Sequence, residues 1–412
     1  MKNNIIWLLC CAFTILSCNK NKGSEQEKDT LETAVLESIK TPSNLDSRLP
    51  RLFAHGDDLY FSWVSSQDSL DILRYSVLKD RNWSEPTMVV SGKDWFTNWA
   101  DFPAIAVNGK GDVLTNILQK SANGTYTYDV KLNLYTKASD SWKKSFILHN
   151  DGTQSEHGFV SIRPYAANSF MVTWLDGRET VGKGHGGGQM TLRGALVFED
   201  GTIDYDTLLD AKVCDCCQTG TAIGPNDQIL VVYRDRSDEE IRDISLVQWT
   251  KEEGWSTPIT LGNDQWKIAG CPVNGPSIDT FQNTVGVAWF TAAREEGEVQ
   301  VVFSKDASKT FGNPIRLDAG NATGRVDITM ISSREAAVIW LEPSGEEEVI
   351  RLMKVSVDGT LGTPIAITRT SAERASGFPQ LEKVGDKLMV AWTIVDEKGS
   401  HIEMASIATS AL

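Results

Sequence analysis

Residues 285–289 read Val-Gly-Val-Ala-Trp, and short apolar runs of this kind, most of them ending in an aromatic residue, recur along the chain. The residues that end these runs are Trp63, Ile117, Trp174, Tyr233, Trp289, Trp340 and Trp392. Their spacing is roughly 55 residues, which is close to the length of one blade of a β-propeller. Seven such runs therefore predict seven blades.

Each repeat carries the signals of four short strands. A short strand precedes each apolar run, and an alternating segment such as Ile-Leu-Arg-Tyr-Ser-Val at 72–77 follows several of them. A turn that ends in proline then opens a fourth segment at 83–86, 255–258, 311–314 and 361–364. The sequence thus predicts an all-β protein, a β-propeller of four-stranded antiparallel blades, with seven blades favoured over six.

The last repeat lacks the signal of a fourth strand before residue 412. We therefore predict that residues near 31–45 supply this outer strand and close the ring. In this organisation, residues 31–412 form a single β-propeller domain.

The first residues have the features of a secretion signal. Lys2 supplies a positive charge, and an apolar run over 5–16 is too short to cross a bilayer as a helix. It ends in Ile-Leu-Ser-Cys, with Cys18 last, which resembles the lipobox of bacterial lipoproteins. The resemblance implies a lipoprotein signal peptide at 1–17 and lipidation of Cys18, and a secretory peptide without lipid is the alternative. The polar segment 18–30 is predicted to be a flexible tether.

Charge excludes one class of partner. The 412 residues are 41% hydrophobic and 23% charged, with a formal net charge of −15. Nucleic acid is not expected, because a phosphate backbone requires a basic surface. The predicted location is extracytoplasmic, periplasmic or on the cell surface, with the outer or cytoplasmic membrane as a partner through the lipid anchor.

Two further motifs carry a resemblance to a family of known fold. Residues 304–311, Ser-Lys-Asp-Ala-Ser-Lys-Thr-Phe, resemble the Asp-box hairpin of sialidase-like propellers, with Ser308 in place of the usual glycine. Residues 47–50, Ser-Arg-Leu-Pro, are similar to the Phe-Arg-Ile-Pro motif of the first sialidase blade. Over about residues 45–412, the chain therefore resembles bacterial lipoproteins of the BNR/Asp-box superfamily that are labelled exo-alpha-sialidases.

The resemblance has implications for the site. Sialidases use a tyrosine nucleophile with a glutamate base, an aspartate acid, and three arginines that bind the substrate carboxylate. Arg48 matches the first of these arginines, whereas no position in the sequence clearly matches the tyrosine–glutamate pair.

The repeat also predicts which residues meet around the axis. In a blade, the first strand starts and the second strand ends on the same face, so the loops at these ends gather at the mouth of the central channel. The arginines predicted to bind substrate there are Arg48, Arg178, Arg234, Arg236, Arg325 and Arg374. Guanidinium groups match the geometry of carboxylates and sulfates, so the expected partner is an anionic carbohydrate. A set of ion pairs with neighbouring acids is the structural alternative.

Candidate catalytic groups are expected on the same face. They are Asp101 as general acid, Glu295 and Glu342 as assisting carboxylates, and His157 as an acid or base. His185 lies in the glycine-rich loop 182–188, which has the backbone freedom to approach a ligand closely. For each histidine, a structural hydrogen-bonding role is the alternative.

Four cysteines are expected near the mouth, and they are Cys214, Cys216, Cys217 and Cys271. Cys217 and Cys271 occupy equivalent positions in successive repeats, whereas the adjacent Cys216 and Cys217 are expected to point to opposite sides of an extended strand. An oxidising compartment favours a disulfide between neighbouring blades, and a metal site or a free thiol are the alternatives. No cofactor is expected, except for a metal ion at this cluster if the cysteines form a metal site.

Together these features favour a lipid-anchored, sialidase-like glycosidase that hydrolyses a bond in an anionic glycan. The alternatives are a non-catalytic glycan- or protein-binding surface lipoprotein, a propeller polysaccharide lyase, and a metal-handling lipoprotein built on the cysteines.

Overall fold

Each sequence repeat folds as one antiparallel sheet in a computed structural model that describes residues 36–183 and 188–412. Seven sheets of four or five short strands form the blades of a propeller, which confirms the predicted fold and blade number. The predicted signal peptide and tether lie outside the described residues.

The blades follow one another in chain order, except that the first strand, β1 (Glu37–Ile39), belongs to blade 7. Blade 1 comprises β2 (Ser47–His55), β3 (Asp58–Gln67), β4 (Leu70–Lys79), β5 (Asn82–Trp83) and β6 (Thr87–Gly92). Blade 2 comprises β7 (Ile105–Val107), β8 (Val113–Lys120), β9 (Tyr128–Thr136), β10 (Ser141–Trp142) and β11 (Phe146–Ile147). Blade 3 comprises β12 (His157–Tyr165), β13 (Ser169–Asp176), β14 (Met190–Phe198) and β15 (Ile203–Val213).

The second half of the ring repeats this plan. Blade 4 comprises β16 (Gly220–Ile223), β17 (Ile229–Arg234), β18 (Ile244–Thr250), β19 (Gly254–Trp255) and β20 (Ile259–Thr260). Blade 5 comprises β21 (Ser277–Phe281), β22 (Thr284–Thr291), β23 (Glu298–Ser304) and β24 (Ile315–Arg316). Blade 6 comprises β25 (Gly324–Ser332), β26 (Glu335–Ser344), β27 (Glu347–Ser356) and β28 (Ile365–Ser371). Blade 7 comprises β29 (Gln380–Val384), β30 (Lys387–Asp396), β31 (Gly399–Ala408) and β1.

Helical structure in the described residues is limited to short 3-10 turns. They are Arg178–Thr180, Pro225–Asp227, Arg374–Ser376 and Thr409–Ala411. Within the same residues, no helix is long and apolar enough to cross a membrane.

The ring closes through both ends of the described chain. The first strands β2, β7, β12, β16, β21, β25 and β29 contact one another in succession around the axis. In blade 7, β1 pairs with β31 in antiparallel register, with Glu37 opposite Ser406 and Ile39 opposite Met404. The predicted closure by an N-terminal strand is therefore confirmed.

The residues that end the repeated apolar runs form the core between blades. All seven lie on the second strand of their blade, and Trp63, Trp174, Trp289 and Trp340 are no more than 1% exposed. Such large side chains bury the most apolar surface available to a single residue. The repeated aromatic residues are therefore those that pack neighbouring sheets against each other.

Bulges at the mouth interrupt three of the first strands. They lie at Arg48/Arg51 of β2, Gly158/Ser161 of β12 and Gly324/Asp327 of β25. Leu49, Phe159 and Arg325, within these bulges, have φ of 57°, 55° and 55°. A bulge re-aims the side chains that follow it, and here those side chains line the central channel.

The predicted Asp-box is a turn between β23 and β24. Asp306 accepts hydrogen bonds from Ser304 Oγ (2.8 Å), Thr310 N (2.9 Å) and Thr310 Oγ1 (2.6 Å). Ser308 has φ of 63°, the left-handed conformation for which glycine is usual at this position. The motif is thus structural.

Candidate functional site

The first strands enclose a narrow channel on the ring axis. Its cavity volume is about 50 Å³, and its walls include Arg51, Arg163, Asp327 and Gln380. A single water needs roughly 10–15 Å³ by this measure, so the channel has room for a few waters and none for a sugar ring. A glycan therefore cannot bind inside the channel.

Buried charges inside the channel compensate one another. Arg51, Arg163 and Asp327 line it, and the buried carboxyl groups of Asp279 and Glu382 interact electrostatically with these arginines. Burial lowers the pKa of Arg51, with Asp327 opposing the effect, and burial raises the pKa of Glu382 to about 7, with Arg163 opposing. The opposite charges around the channel thus offset one another.

Loops from four blades meet over the mouth. Gln218, before blade 4, donates from Nε2 to the carbonyl oxygen of Ala100, before blade 2, and accepts at Oε1 from the N–H of Gly275 (2.9 Å), before blade 5. Asp101 accepts at Oδ1 from the N–H of Phe159 in blade 3 (2.7 Å). The predicted convergence of first-strand starts is observed for these loops.

Two of the predicted arginines come together on one aromatic ring. The guanidinium carbons of Arg325 and Arg374 lie 4.7 Å and 5.9 Å from the ring centre of Trp99, and Phe378 stacks on the same indole at 5.8 Å. Arg325 also donates hydrogen bonds of 2.9 and 2.8 Å to the segment 376–377. Within the described residues, neither guanidinium donates a hydrogen bond to a carboxylate, so the pair retains the capacity to bind an anion.

The environment of Arg325 makes its charge costly. Burial lowers the pKa of Arg325 to about 10; attraction by Glu348 opposes this change, and repulsion by Arg374 adds to it. A bound anion would relieve both the repulsion and the lost hydration.

The other predicted arginines of the described chain are held by intramolecular partners. Three form ion pairs, which are Arg48–Asp71 (2.7 Å), Arg178–Asp176 (2.7 Å) and Arg236–Glu240 (2.8 Å). Arg234 is 1% exposed and donates to the carbonyl oxygens of Arg242, Asn274 and Phe290. Ion pairs with neighbouring acids, the structural alternative, are therefore found for Arg48, Arg178 and Arg236, whereas backbone carbonyl groups hold Arg234.

A tyrosine, a glutamate and an aspartate meet beside the mouth. Tyr128 Oη donates to Glu156 Oε1 at 2.7 Å, and the Asp101 carboxyl and the Tyr128 ring both lie against Gly158. Tyr128 begins β9, Glu156 precedes β12, and Asp101 lies in the loop before β7, so three segments assemble the group. The ring of Phe96 stacks on Tyr128 at 4.3 Å and covers it.

Burial sets the protonation of this group. Burial raises the pKa of Asp101 well above its usual range, although the N–H of Phe159 opposes the effect, and its Oδ2 has no hydrogen-bond partner among the described residues. Burial likewise raises the pKa of Glu156 to about 7, with the Tyr128 hydroxyl opposing and Asp215 adding to it. Burial therefore favours the protonated form of Asp101, which suits it to donate a proton, and a pKa of about 7 allows Glu156 to accept one near neutral pH.

His157 has a structural position behind this group. It is 0% exposed, stacks on His149 at 3.6 Å between ring centres, and its Nδ1 lies 3.2 Å from the carbonyl oxygen of Tyr128. Burial lowers the pKa of His149, and the charge of His157 adds to this effect. Both histidines lie among the carboxylates of Asp151 and Asp176, in a group with the ligand types of a metal site.

The remaining predicted residues lie elsewhere or outside the described chain. Glu342 accepts hydrogen bonds from Trp340 Nε1 (2.9 Å) and Arg351 Nε (3.0 Å), which marks it as structural, and Glu295 is exposed between β22 and β23. The predictions for His185 and Cys18 fall on residues that the structure does not describe.

The four cysteines are free thiols, so the predicted disulfide is not present in this structure. The Sγ atoms of Cys214 and Cys217 are 3.6 Å apart, and those of Cys214, Cys216 and Cys217 lie within 4.8 Å of one another. Our expectation that Cys216 and Cys217 diverge was wrong, because this stretch is a turn between β15 and β16 and not an extended strand. Hydrogen bonds from Cys216 and Cys217 lower the pKa of Cys214 well below its usual range.

Comparison with known proteins places the fold. No family model matches the chain, and no curated protein matches it. A protein of unknown function from Dyadobacter fermentans has a similar fold, with 11% sequence identity and a TM-score of 0.52 over 91% of this chain and 98% of that one. A polysaccharide lyase described as an ulvan lyase bound to -[GlcA(1-4)Rha3S]- is 10% identical, with a TM-score of 0.56 over 90% of this chain and 96% of that one. The endosialidase of phage phi92 is 10% identical, with a TM-score of 0.51 over 90% of this chain and 68% of that one. At these identities the likeness concerns the fold alone, which confirms the resemblance to sialidase-like propellers at that level and no further.

Proposed function

We propose that the protein binds an anionic glycan at the channel mouth and hydrolyses a glycosidic bond there. The observation that carries this proposal is the hydrogen bond from Tyr128 Oη to Glu156 Oε1, 2.7 Å long, beside a buried Asp101. This is the set of residue types that a sialidase-like hydrolysis requires, and the fold is shared with enzymes that act on glycans.

The binding step uses Arg325, Arg374 and Trp99. Both guanidinium groups lie over the ring of Trp99, without a carboxylate partner among the described residues. An acidic sugar offers a carboxylate or sulfate to the arginines, which form charge-assisted hydrogen bonds with it. Trp99 and Asp101 are two residues apart on one loop, so an anion bound there brings its glycosidic bond towards the acid.

The chemical step follows from the protonation states. Glu156 accepts the phenolic proton while the Tyr128 oxygen attacks the anomeric carbon, and Asp101 donates its proton to the departing glycosidic oxygen. Water then attacks the covalent intermediate, and Asp101 takes one proton from that water. Glu156 returns its proton to the Tyr128 oxygen, which leaves as a phenol. The enzyme is then in its starting state. The net change is the addition of one water across the bond.

Access to Tyr128 requires a movement of the loop that covers it. Tyr128 is 0% exposed under the ring of Phe96, which belongs to the same 95–102 loop as Trp99 and Asp101. Binding of a sugar against Trp99 would displace this loop, which couples substrate binding to exposure of the nucleophile.

The same proposal places the enzyme outside the cytoplasm, held to a membrane by a lipid on Cys18. The Ile-Leu-Ser-Cys stretch at 15–18 supports it. Metabolic labelling with a radioactive fatty acid tests it: the label is expected in the wild-type chain and absent from Cys18→Ser.

The test of the activity compares two tyrosines. A panel of acidic glycans is incubated with the wild type, Tyr128→Phe and Tyr126→Phe, and products are identified by mass spectrometry. Tyr126 is 59% exposed, two residues from Tyr128, and gives a matched control. We expect release of an acidic sugar, a loss of at least about 100-fold for Tyr128→Phe, and wild-type activity for Tyr126→Phe.

Other outcomes distinguish the rival functions. An unsaturated uronide that absorbs in the ultraviolet would identify a polysaccharide lyase and overturn the hydrolysis. Saturable binding without a product, unchanged in Tyr128→Phe, would identify a non-catalytic glycan-binding protein.

A further inference from the structure

Four cysteine side chains from two blades meet at one edge of the mouth. Cys214 follows β15 directly, Cys216 and Cys217 lie in the turn that leads into β16, and Cys271 lies in the loop before β21 of the next blade. Cys271 faces this turn closely enough for its thiol and that of Cys216 to influence each other's pKa, although only the three sulfurs of the turn lie within 4.8 Å of one another. The turn at 214–217 therefore collects three sulfurs on one side and presents them to a fourth.

The separations of these sulfurs match one kind of site. The Cys214–Cys217 distance is 3.6 Å, and all three sulfurs of the turn are within 4.8 Å of one another. Four thiolates bound to one zinc ion at about 2.3 Å in tetrahedral geometry are about 3.8 Å apart, whereas bonded sulfurs are about 2.05 Å apart. The spacing of the three turn sulfurs is therefore compatible with ligands around a shared ion, to which the loop of Cys271 would bring the fourth sulfur.

The surroundings suit a site of net negative charge. Arg242, 3% exposed, donates from Nη1 to Cys214 Sγ at 3.3 Å, and is itself held by Glu240 Oε2 at 2.8 Å. A zinc ion with four thiolates carries two negative charges, and a buried guanidinium that donates to one sulfur orients that ligand and offsets the charge. Arg234 donates to the carbonyl oxygen of Arg242 at 2.7 Å, which fixes the direction of this contact.

The cysteines of the cluster differ in exposure, which gives a metal ion a way in from the solvent. Cys214 and Cys217 are 0% and 1% exposed, whereas Cys271 is exposed. An ion can thus bind first at the exposed cysteine and then be enclosed by the turn, so the cluster has an entry path.

We propose that Cys214, Cys216, Cys217 and Cys271 bind one Zn²⁺ ion in a closed tetrathiolate site that ties blade 4 to blade 5. Four sulfur ligands leave no open position, so the site is structural and not catalytic. The zinc site would stabilise the mouth as a disulfide would. It is independent of the proposed glycan chemistry, because none of its ligands belongs to the group formed by Tyr128, Glu156 and Asp101.

The experiment measures metal content in the full chain. Wild type, Cys217→Ser, Cys271→Ser and Cys18→Ser are purified under reducing conditions, and zinc is quantified by elemental analysis. Cys18→Ser makes the same chemical change outside the cluster and is the matched control. We expect one zinc per chain in the wild type and in Cys18→Ser, and loss of tightly bound zinc in the other two. Because Cys271 is exposed, Cys271→Ser is expected to retain the fold, which circular dichroism checks.

A second readout reports the ligands themselves. Replacement of zinc by Co²⁺ is expected to give strong thiolate-to-cobalt absorption in the near ultraviolet and visible bands of tetrahedral Co²⁺, weakened in Cys271→Ser. Metal-free protein with a disulfide between Cys214 and Cys217, or between Cys216 and Cys271, found by mass mapping without reduction, would overturn the proposal. A chain that binds Cu⁺ and no zinc, or equal zinc in all four proteins, would overturn it as well.

Discussion

Replacement of Glu156 by glutamine tests the electrostatics of the candidate site without changing its shape. The amide keeps an oxygen that accepts the Tyr128 hydrogen bond and cannot ionise. Burial raises the pKa of Glu156 from 4.5 to about 7, so the folded state holds a proton over a pH range in which the unfolded chain has lost it. The contribution of this group to stability is therefore full below about pH 4.5 and is lost as the pH rises to about 7.

The size of this effect follows from the pKa difference. A difference of about 2.5 in pKa corresponds to at most about 3.4 kcal/mol, and partial access of water to the carboxyl reduces the expected value to about 1–2 kcal/mol. At pH 8, Glu156→Gln should accordingly be more stable than the wild type by about 1–2 kcal/mol, and the difference should shrink towards zero at pH 4.5. The same variant should lose hydrolytic activity, because it lacks the base.

Urea unfolding at half-unit steps from pH 4.5 to pH 8 measures the difference. Glu295→Gln, which changes an exposed carboxylate in the β22–β23 loop, is the control and should follow the wild-type curve. A stability difference between Glu156→Gln and the wild type that does not vary with pH, or that grows on acidification, would refute the assignment of a raised pKa to a buried Glu156.

Three further outcomes follow from the described contacts. Arg325→Met should weaken binding of an acidic glycan at least about 10-fold and make the affinity less dependent on salt, as measured by calorimetry. The control Arg48→Met, which removes the ion pair with Asp71, should leave the affinity unchanged. Trp174→Ala should lower the free energy of unfolding by about 3–5 kcal/mol in denaturant titrations, since Trp174 is 0% exposed between blades; a cost below about 1 kcal/mol would contradict its place in the core. Deletion of residues 36–41 should expose the edge of β31 and promote association, visible by light scattering, and a monomer of unchanged melting temperature would count against closure by β1.

The fold was predictable because its signal is repeated. The buried tryptophans of the second strands recur at blade spacing, and each copy supports the same interpretation. Closure by β1 was also predictable, since only the last repeat lacked its outer strand.

The candidate site was much less predictable. Tyr128 and Glu156 are separated by a blade boundary, and nothing in either segment marks their contact. Arg325 and Arg374 meet on Trp99, but charge alone did not distinguish these two arginines from Arg234, which donates to backbone carbonyl oxygens. The prediction that Cys216 and Cys217 point to opposite sides was wrong because it assumed an extended strand, whereas the chain turns at these residues.

The pairing of β1 with β31 has a consequence for synthesis. Glu37 and Ser406 are neighbours in blade 7 although 369 residues separate them, so this sheet cannot form until nearly the whole chain has left the ribosome. Blades 1 to 6 can assemble in order as they emerge, whereas the final seam waits for translation to finish. A chaperone that holds the early residues during synthesis would therefore act on the segment that completes the ring last.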